Sequence, residues 1–382
     1  MKHHLHETNH SGTIDENKAG GHGGDLLAAS RESGLPPEEI LDFSSNVNPL
    51  GPPPGLHSHL RRRLKTIINY PEPGAWSLRE QLADFLGVDQ ERLMVGNGAN
   101  DLLHSLLLWQ RPRQVVLPAP TFSEYARAAR LAGAEVKQVY QPPGETLQVK
   151  EIEKELEEKD WLVLCNPNNP TGRLFPRREI EPLVQAAGQK SASVLVDESF
   201  LPLTGREEES LRNAEELNSR LWVLLSLTKL WALPGLRLGC LAGPEKEVQS
   251  INSLGDPWRV NTLAREAGLF CLQQEDYLGK TLDLLKKERK YLQRGLERAG
   301  KFEVYRGEAN FLLIRGVEEN FRASDLRSFL IKRGLLIRQA DNFYGLDSRY
   351  FRLAVRRRRE NRRLLQGIEE YLNKHTWSAE SE

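Results

Sequence analysis

Between residues 75 and 245 the chain alternates two hydrophobic patterns, and that alternation restricts the fold more than any other feature. Short apolar runs lie at Val115–Leu117, Val136–Tyr140, Trp161–Cys165, Ser193–Val196, Leu221–Leu225 and Leu238–Ala242. Segments with helical spacing accompany them at Leu78–Leu86, Leu102–Trp109, Ser123–Leu131, Val149–Glu157 and Arg177–Ala187. Strands that alternate with helices predict an open, largely parallel sheet covered on both faces. Residues 263–299 read as long amphipathic helix. After them the style changes. Phe302–Tyr305, Phe311–Arg315, Leu335–Arg338 and Tyr350–Val355 read as strands, with helices at 322–333 and 360–373. The expected organisation is a large α/β domain over 61–285 and a smaller α+β domain over 286–382. Residues 21–60 are expected to join the small domain, and 1–20 to form a disordered polar leader.

Charge excludes two partner classes. Fifty-three basic side chains balance 53 acidic ones, so no global field attracts nucleic acid or a membrane surface. No apolar run approaches the roughly 20 residues of a membrane span, and the N-terminus lacks the apolar core of a secretion signal. Cys165, Cys240 and Cys271 are odd in number and widely spaced, which argues against a disulfide framework or zinc and fits a reducing cytoplasm. His3, His4, His6 and His10 read as part of the leader or a cloning remnant rather than a metal tail. No metal is expected.

In an open α/β sheet, ligands bind beyond the carboxyl ends of the strands. The unusual residues of this chain fall there. The strand 161–165 ends in Asn166-Pro-Asn-Asn-Pro-Thr-Gly172, and 193–196 ends in Asp197-Glu-Ser-Phe200. The strand 221–225 runs into Ser226-Leu-Thr-Lys229, with Arg237 beyond it. Lys229 and Arg237 interrupt apolar sequence, where a cation is rarely buried without a partner. A lysine that loses its charge to react is the usual Schiff-base device. An arginine is the usual phosphate clamp. An amine for an aldehyde and a cation for a phosphate describe a pyridoxal phosphate site.

Three weaker signals support it. Gly96-Asn-Gly-Ala-Asn100 opens a helix, where backbone N–H groups can approach a phosphate; a plain helix entry capped by Asn100 would look the same. Asp197 follows an apolar strand, and a buried carboxylate needs a cationic partner such as a protonated pyridine nitrogen. An ordinary strand-end salt bridge is the alternative. Phe122, in Pro118-Ala-Pro-Thr-Phe-Ser-Glu-Tyr125, could stack on a ring, though an aromatic there is more often core.

This ordered set resembles the fold-type I pyridoxal phosphate enzymes, the aspartate aminotransferase superfamily, over nearly all of the chain from residue 21. The resemblance implies an aspartate aminotransferase-like fold with a mostly parallel, seven-stranded-type sheet. It makes Lys229 the catalytic amine, Asp197 the partner of the pyridine nitrogen and Asn169 the donor to the phenolic oxygen. Ser226, Thr228, Arg237 and the N–H groups of Ala99 and Asn100 would hold the phosphate, with Phe122 on the ring. Tyr70, in Asn-Tyr-Pro-Glu-Pro, resembles the tyrosine that reaches the neighbouring subunit's phosphate, which implies a homodimer.

Two branches of the superfamily compete: histidinol-phosphate aminotransferases and the threonine-phosphate decarboxylases of cobalamin biosynthesis. His22-Gly-Gly, Asp42-Phe-Ser-Ser-Asn46-Val-Asn-Pro-Leu-Gly, Pro120-Thr-Phe-Ser-Glu-Tyr, Pro257-Trp-Arg-Val-Asn and Asn342-Phe-Tyr-Gly-Leu-Asp-Ser-Arg-Tyr-Phe-Arg352 resemble the decarboxylases. So does Phe200, where the aminotransferases usually carry tyrosine. Arg259 departs from the decarboxylase pattern, which has a small polar residue there. The resemblance implies Arg352 for a substrate carboxylate and Arg338 for a substrate phosphate, with His22, Gly23 and Asn46 closing the pocket. The expected reaction is loss of the carboxylate from threonine phosphate, giving aminopropanol phosphate. Transamination, or decarboxylation of serine phosphate, is the alternative.

Overall fold

The computed structural model describes residues 23–214 and 219–374. His22 and the leader lie outside the described residues. A short strand β1 (Leu41–Asp42) precedes seven strands of one sheet. These are β2 (Leu93–Gly96), β3 (Gln114–Ala119), β4 (Glu135–Tyr140), β5 (Trp161–Cys165), β6 (Ser193–Asp197), β7 (Leu221–Ser226) and β8 (Gly239–Ala242). Their order is β2-β8-β7-β6-β5-β3-β4. β3 to β7 pair in parallel, while β8 runs antiparallel to both β2 and β7. Five of the strands, β2, β3, β5, β6 and β8, are buried along their whole length, which is why they read as unbroken apolar runs.

The sequence reading lacks β2, a four-residue strand that ends in the glycine-rich turn. It places a strand at β8 without its direction. After β7 the chain makes one short helix, Leu227–Leu230, and turns straight back, with Leu227 N–H donating to Leu238 O at 3.1 Å. No crossover helix intervenes, so β8 returns antiparallel. That hairpin-like return presents Lys229 at the sheet's rim.

The second sheet is antiparallel and built from β9 (Phe302–Val304), β10 (Phe311–Gly316), β12 (Arg338–Gln339) and β13 (Tyr350–Ala354), in the order β12-β13-β10-β9. Between β10 and β12 lies β11 (Leu335–Leu336), which pairs in parallel with β1. The run Leu335–Arg338, read as one strand, therefore splits between two partners: Leu335 and Leu336 serve β1, while Arg338 registers against Arg352 of β13. Phe43, just after β1, is fully buried with Phe351, Ile337 and Leu353 in the small-domain core. The helix Glu275–Arg298 packs Tyr277 and Leu285 into the large core and Leu292 and Leu296 into the small one. The long helical pattern is two helices, because Thr262–Leu272 closes at Gln273 before Glu275–Arg298 begins. The helices Leu56–Arg63 and Glu245–Leu254 escape the sequence reading. The first is mostly histidine and arginine, so its apolar stripe is thin.

Candidate active site

β5, β6 and β7 are neighbours, and their carboxyl ends share one rim. Asp197 ends β6, where burial raises its pKa. Hydrogen bonds oppose that rise: Tyr125 Oη donates to Oδ2 at 2.7 Å and Ser199 N–H to Oδ1 at 2.9 Å. The Lys229 charge opposes it too. Lys229 sits in the helix Leu227–Leu230, whose backbone is tied to the N-terminal segment. Asn48 N–H donates to Lys229 O at 3.1 Å, and the Asn48 amide donates to Leu230 O at 2.8 Å and Thr281 Oγ1 at 2.9 Å. Burial pushes the Lys229 amine down to about 8, helped by Arg352 and Arg237 and resisted by Asp197 and Asp42. A neutral amine near physiological pH is a competent nucleophile.

The phosphate end is a cradle of glycines. Ser226 of β7 pairs with Gly239 of β8, which pairs with Gly96 of β2. A Cβ on Gly239 would lie 2.6 Å from Ala99 N, so only glycine lets the N-terminus of the helix Ala99–Gln110 rest on the sheet. Gly98 has φ 86°, and a Cβ there would lie 2.4 Å from Arg237 Nη2. Ser226 and Thr228 hydroxyls are 2.7 Å apart. The structure thus converges a helix N-terminus, two hydroxyls and a guanidinium, which fits a phosphate. Arg237 corrects one expectation: it is exposed, at φ 58° in the turn after Pro234, rather than buried. It faces solvent, while the Lys229 amine is buried.

Asn169 links the rim to the small domain. Its Oδ1 accepts from Arg352 Nη1, which orients the amide nitrogen away from the arginine. Arg352 Nη2 also donates to Ser44 O at 2.6 Å, and its guanidinium lies 5.3 Å from the Phe311 ring centroid. All these partners are neutral. Arg338 stands directly across the strand pair from Arg352 and donates to Gln339 O at 2.6 Å and Asn342 Oδ1 at 2.8 Å. Burial lowers both arginines, to about 9 for Arg352 and about 10 for Arg338. Facing like charges are destabilising, so the pair is shaped for anions. Arg352 Nε and Asn46 Oδ1 are buried without a partner.

The remaining predicted residues are distributed as follows. Gly23 lies against Ser44, since a Cβ would come 2.2 Å from Ser44 O. Phe122 precedes the helix Ser123–Leu131 and meets Tyr125 edge-on at 5.6 Å. Asn100 lies in the first turn of the phosphate helix. Tyr70 is 81% exposed and meets Trp258 at 4.9 Å with the rings tilted by 35°. Phe200 is buried edge-on against Phe311 at 5.0 Å. Arg259 folds back over Gly255. Sequence reasoning misses Tyr125, Ser199, Ser44 and Asn48. Tyr125 follows Phe122, the residue before the helix Ser123–Leu131, by three positions, but nothing local links it to Asp197.

Residues 38–368 match the family described as aminotransferase class I and II. The chain is 34% identical over 358 residues to the threonine-phosphate decarboxylase of Salmonella typhimurium, covering 92% of this chain and 96% of that protein. Among solved structures, the histidinol-phosphate aminotransferase from Clostridium acetobutylicum has a TM-score of 0.82 at 28% identity, covering 88% of this chain and 100% of that one. The L-threonine-O-3-phosphate decarboxylase from Porphyromonas gingivalis has a TM-score of 0.77 at 29% identity, covering 87% of this chain and 99% of that one. The chain belongs to the aminotransferase class I and II family and has its aspartate aminotransferase-like fold.

Proposed function

We propose that the protein decarboxylates L-threonine O-3-phosphate to (R)-1-amino-2-propanol O-2-phosphate, with pyridoxal phosphate as its cofactor. The observation that carries this reading is the buried pair Arg338 and Arg352, directly opposite each other. A phosphorylated amino acid brings two anions on one short molecule, one for each guanidinium. Arg352 takes the carboxylate and Arg338 the phosphate, with Gly23 and Asn46 closing that side. Bound pyridoxal phosphate supplies the electron sink. Asp197 would keep the pyridine nitrogen protonated, and Asn169 would offer its amide to the phenolic oxygen. Ala99, Asn100, Ser226, Thr228 and Arg237 hold the cofactor phosphate. Phe122 would cover the ring. Lys229 would hold the aldehyde, and its amine would carry the proton that replaces the lost carboxylate.

Which bond breaks depends on which substituent stands perpendicular to the ring plane, and the arginine pair sets that angle. Phe200, edge-on to Phe311, supports carboxylate loss only through resemblance, since the decarboxylases share a phenylalanine where the aminotransferases usually carry tyrosine. The aminotransferase relatives keep transamination as the second reading. We also propose a cytoplasmic homodimer: Ile67, Ile68, Tyr70, Trp76 and Trp258 are each exposed, Tyr70 and Trp258 in contact, and Tyr70 would serve the neighbouring site. Among the described residues no helix is long and apolar enough to cross a membrane.

CO₂ release from O-phosphothreonine, O-phosphoserine and threonine tests the substrate. The expected order is phosphothreonine first, then phosphoserine lower by roughly 10-fold for the missing methyl, then threonine. Equal rates on threonine and its phosphate contradict the phosphate role of Arg338.

A further inference from the structure

Beyond β12 the chain leaves Arg338 as a loop and returns as β13. That loop is exposed at Asp341, Asn342, Tyr344 and Gly345 but anchored by backbone hydrogen bonds and two buried side chains. Ala340 N–H donates to Tyr350 O at 3.0 Å and closes its base. Phe343 N–H reaches Ala340 O at 3.2 Å, and Leu346 N–H reaches Phe343 O at 3.0 Å. Phe343 and Leu346 are buried with Leu313, Ala340 and Tyr350 in a small apolar cluster of their own.

Two residues of this loop touch Arg338. Asn342 Oδ1 accepts from Nη2 at 2.8 Å, and the guanidinium lies 5.5 Å from the Phe343 ring centroid. They fix the direction of the guanidinium, and the Asp341 carboxylate beside them favours its charged form. The tip of the loop reaches the large domain. Gly345 has φ 79°, and a Cβ there would lie 2.3 Å from Tyr140, the last residue of β4. Arg352 shares none of these contacts: its partners are Asn169, Ser44 and Phe311.

We infer that Asn342 and Phe343 are specificity-determining positioning residues that aim Arg338 at the substrate phosphate, and that Gly345 seats their loop on Tyr140. The inference rests on the proposed reading of Arg338 as the phosphate residue. A site built this way separates its two anions. The loop Asn342–Leu346 governs the phosphate, while Asn169 and Ser44 govern the carboxylate. The seat on Tyr140 also makes the direction of Arg338 depend on how the small domain meets the large sheet.

The test uses holoenzyme and the variants Asn342→Ala, Asn342→Asp and Gly345→Ala. Steady-state kinetics are measured on O-phosphothreonine, the dissociation constant of inorganic phosphate by calorimetry, and threonine binding from the cofactor's visible absorbance. Losing one hydrogen bond to a charged group corresponds to about a tenfold change. Asn342→Ala should raise KM for O-phosphothreonine and the phosphate dissociation constant by about that factor, with kcat within about threefold and threonine binding unchanged. Asn342→Asp should weaken both by about 100-fold, because it adds neutralisation of Arg338 to the lost geometry. Gly345→Ala should follow Asn342→Ala. The inference is overturned if Asn342→Ala and Asn342→Asp leave phosphate binding as in the parent, or if threonine and O-phosphothreonine weaken together. If the parent enzyme itself shows no preference for the phosphorylated amino acid, the proposed reading of Arg338 fails, and this inference with it.

Discussion

Asp197 and Arg352 are both buried charges, yet their surroundings differ in kind. At the large-sheet rim, the Asp197 carboxylate has two donors and the nearby Lys229 amine, so charge of each sign is present before any ligand arrives. In the small domain, Arg352 faces Arg338 and is held only by neutral oxygens and a ring. The first half is preorganised for a cofactor that stays. The second sets two like charges opposite each other, offset in part by Asp42 and Asp341, and a bound anion would relieve the remainder. A retained group is met by satisfied side chains at several strand ends. A transient one is met by stored repulsion.

Substitutions can break that contrast. Lys229→Ala should have the largest effect. Turnover falls by at least about 10⁴-fold, the upper range for a positioned acid–base group, and the visible absorbance of the bound cofactor changes with it. Asp197→Asn keeps the shape but removes the charge; kcat should fall by about 10²- to 10³-fold while the cofactor remains bound after gel filtration. Arg352→Gln should lower kcat/KM by about 100-fold and leave cofactor content unchanged.

The pH dependence of cofactor capture sharpens the same comparison. In the cofactor-free protein, Lys229 titrates at about 8 instead of its ordinary 10.5. The neutral amine is the nucleophile, so the rate of reaction with the aldehyde should rise as pH passes about 8 and level off above it. Arg352→Gln removes a cation that lowers this pKa, so the rise should move to higher pH. The smallest expected effect is Gly98→Ala. The added Cβ displaces Arg237 and strains a positive φ, which should cost about 1 kcal/mol of stability and about tenfold in cofactor affinity.

The large-sheet half was the more legible of the two in the sequence. Strands buried on both faces write themselves as apolar runs, and the polar residues that follow them, Asn169, Asp197 and Lys229, stand out by contrast. β2 was not legible, since four residues leading into Gly96-Asn-Gly read as part of the turn. The small-domain half depends on pairings between distant segments. Nothing local in Leu335–Arg338 shows that its two ends serve different strands. Nor does local sequence show that Phe43 enters the small core, or that Ser44 meets Arg352. The exposure of Arg237 was hidden for a related reason: its neighbours are apolar, but a positive φ turns its side chain toward solvent. Tyr125 became visible as Asp197's donor only once β6 and the helix Ser123–Leu131 were side by side.

The fate of the substrate carboxylate tests the proposed chemistry most directly. Holoenzyme is incubated with O-phosphothreonine, and CO₂ and the amine product are measured together. A parallel reaction holds histidinol phosphate and 2-oxoglutarate, and glutamate is measured. CO₂ and aminopropanol phosphate in equal amounts, with no glutamate, are the expected result. Glutamate without CO₂ would contradict it and make the protein an aminotransferase.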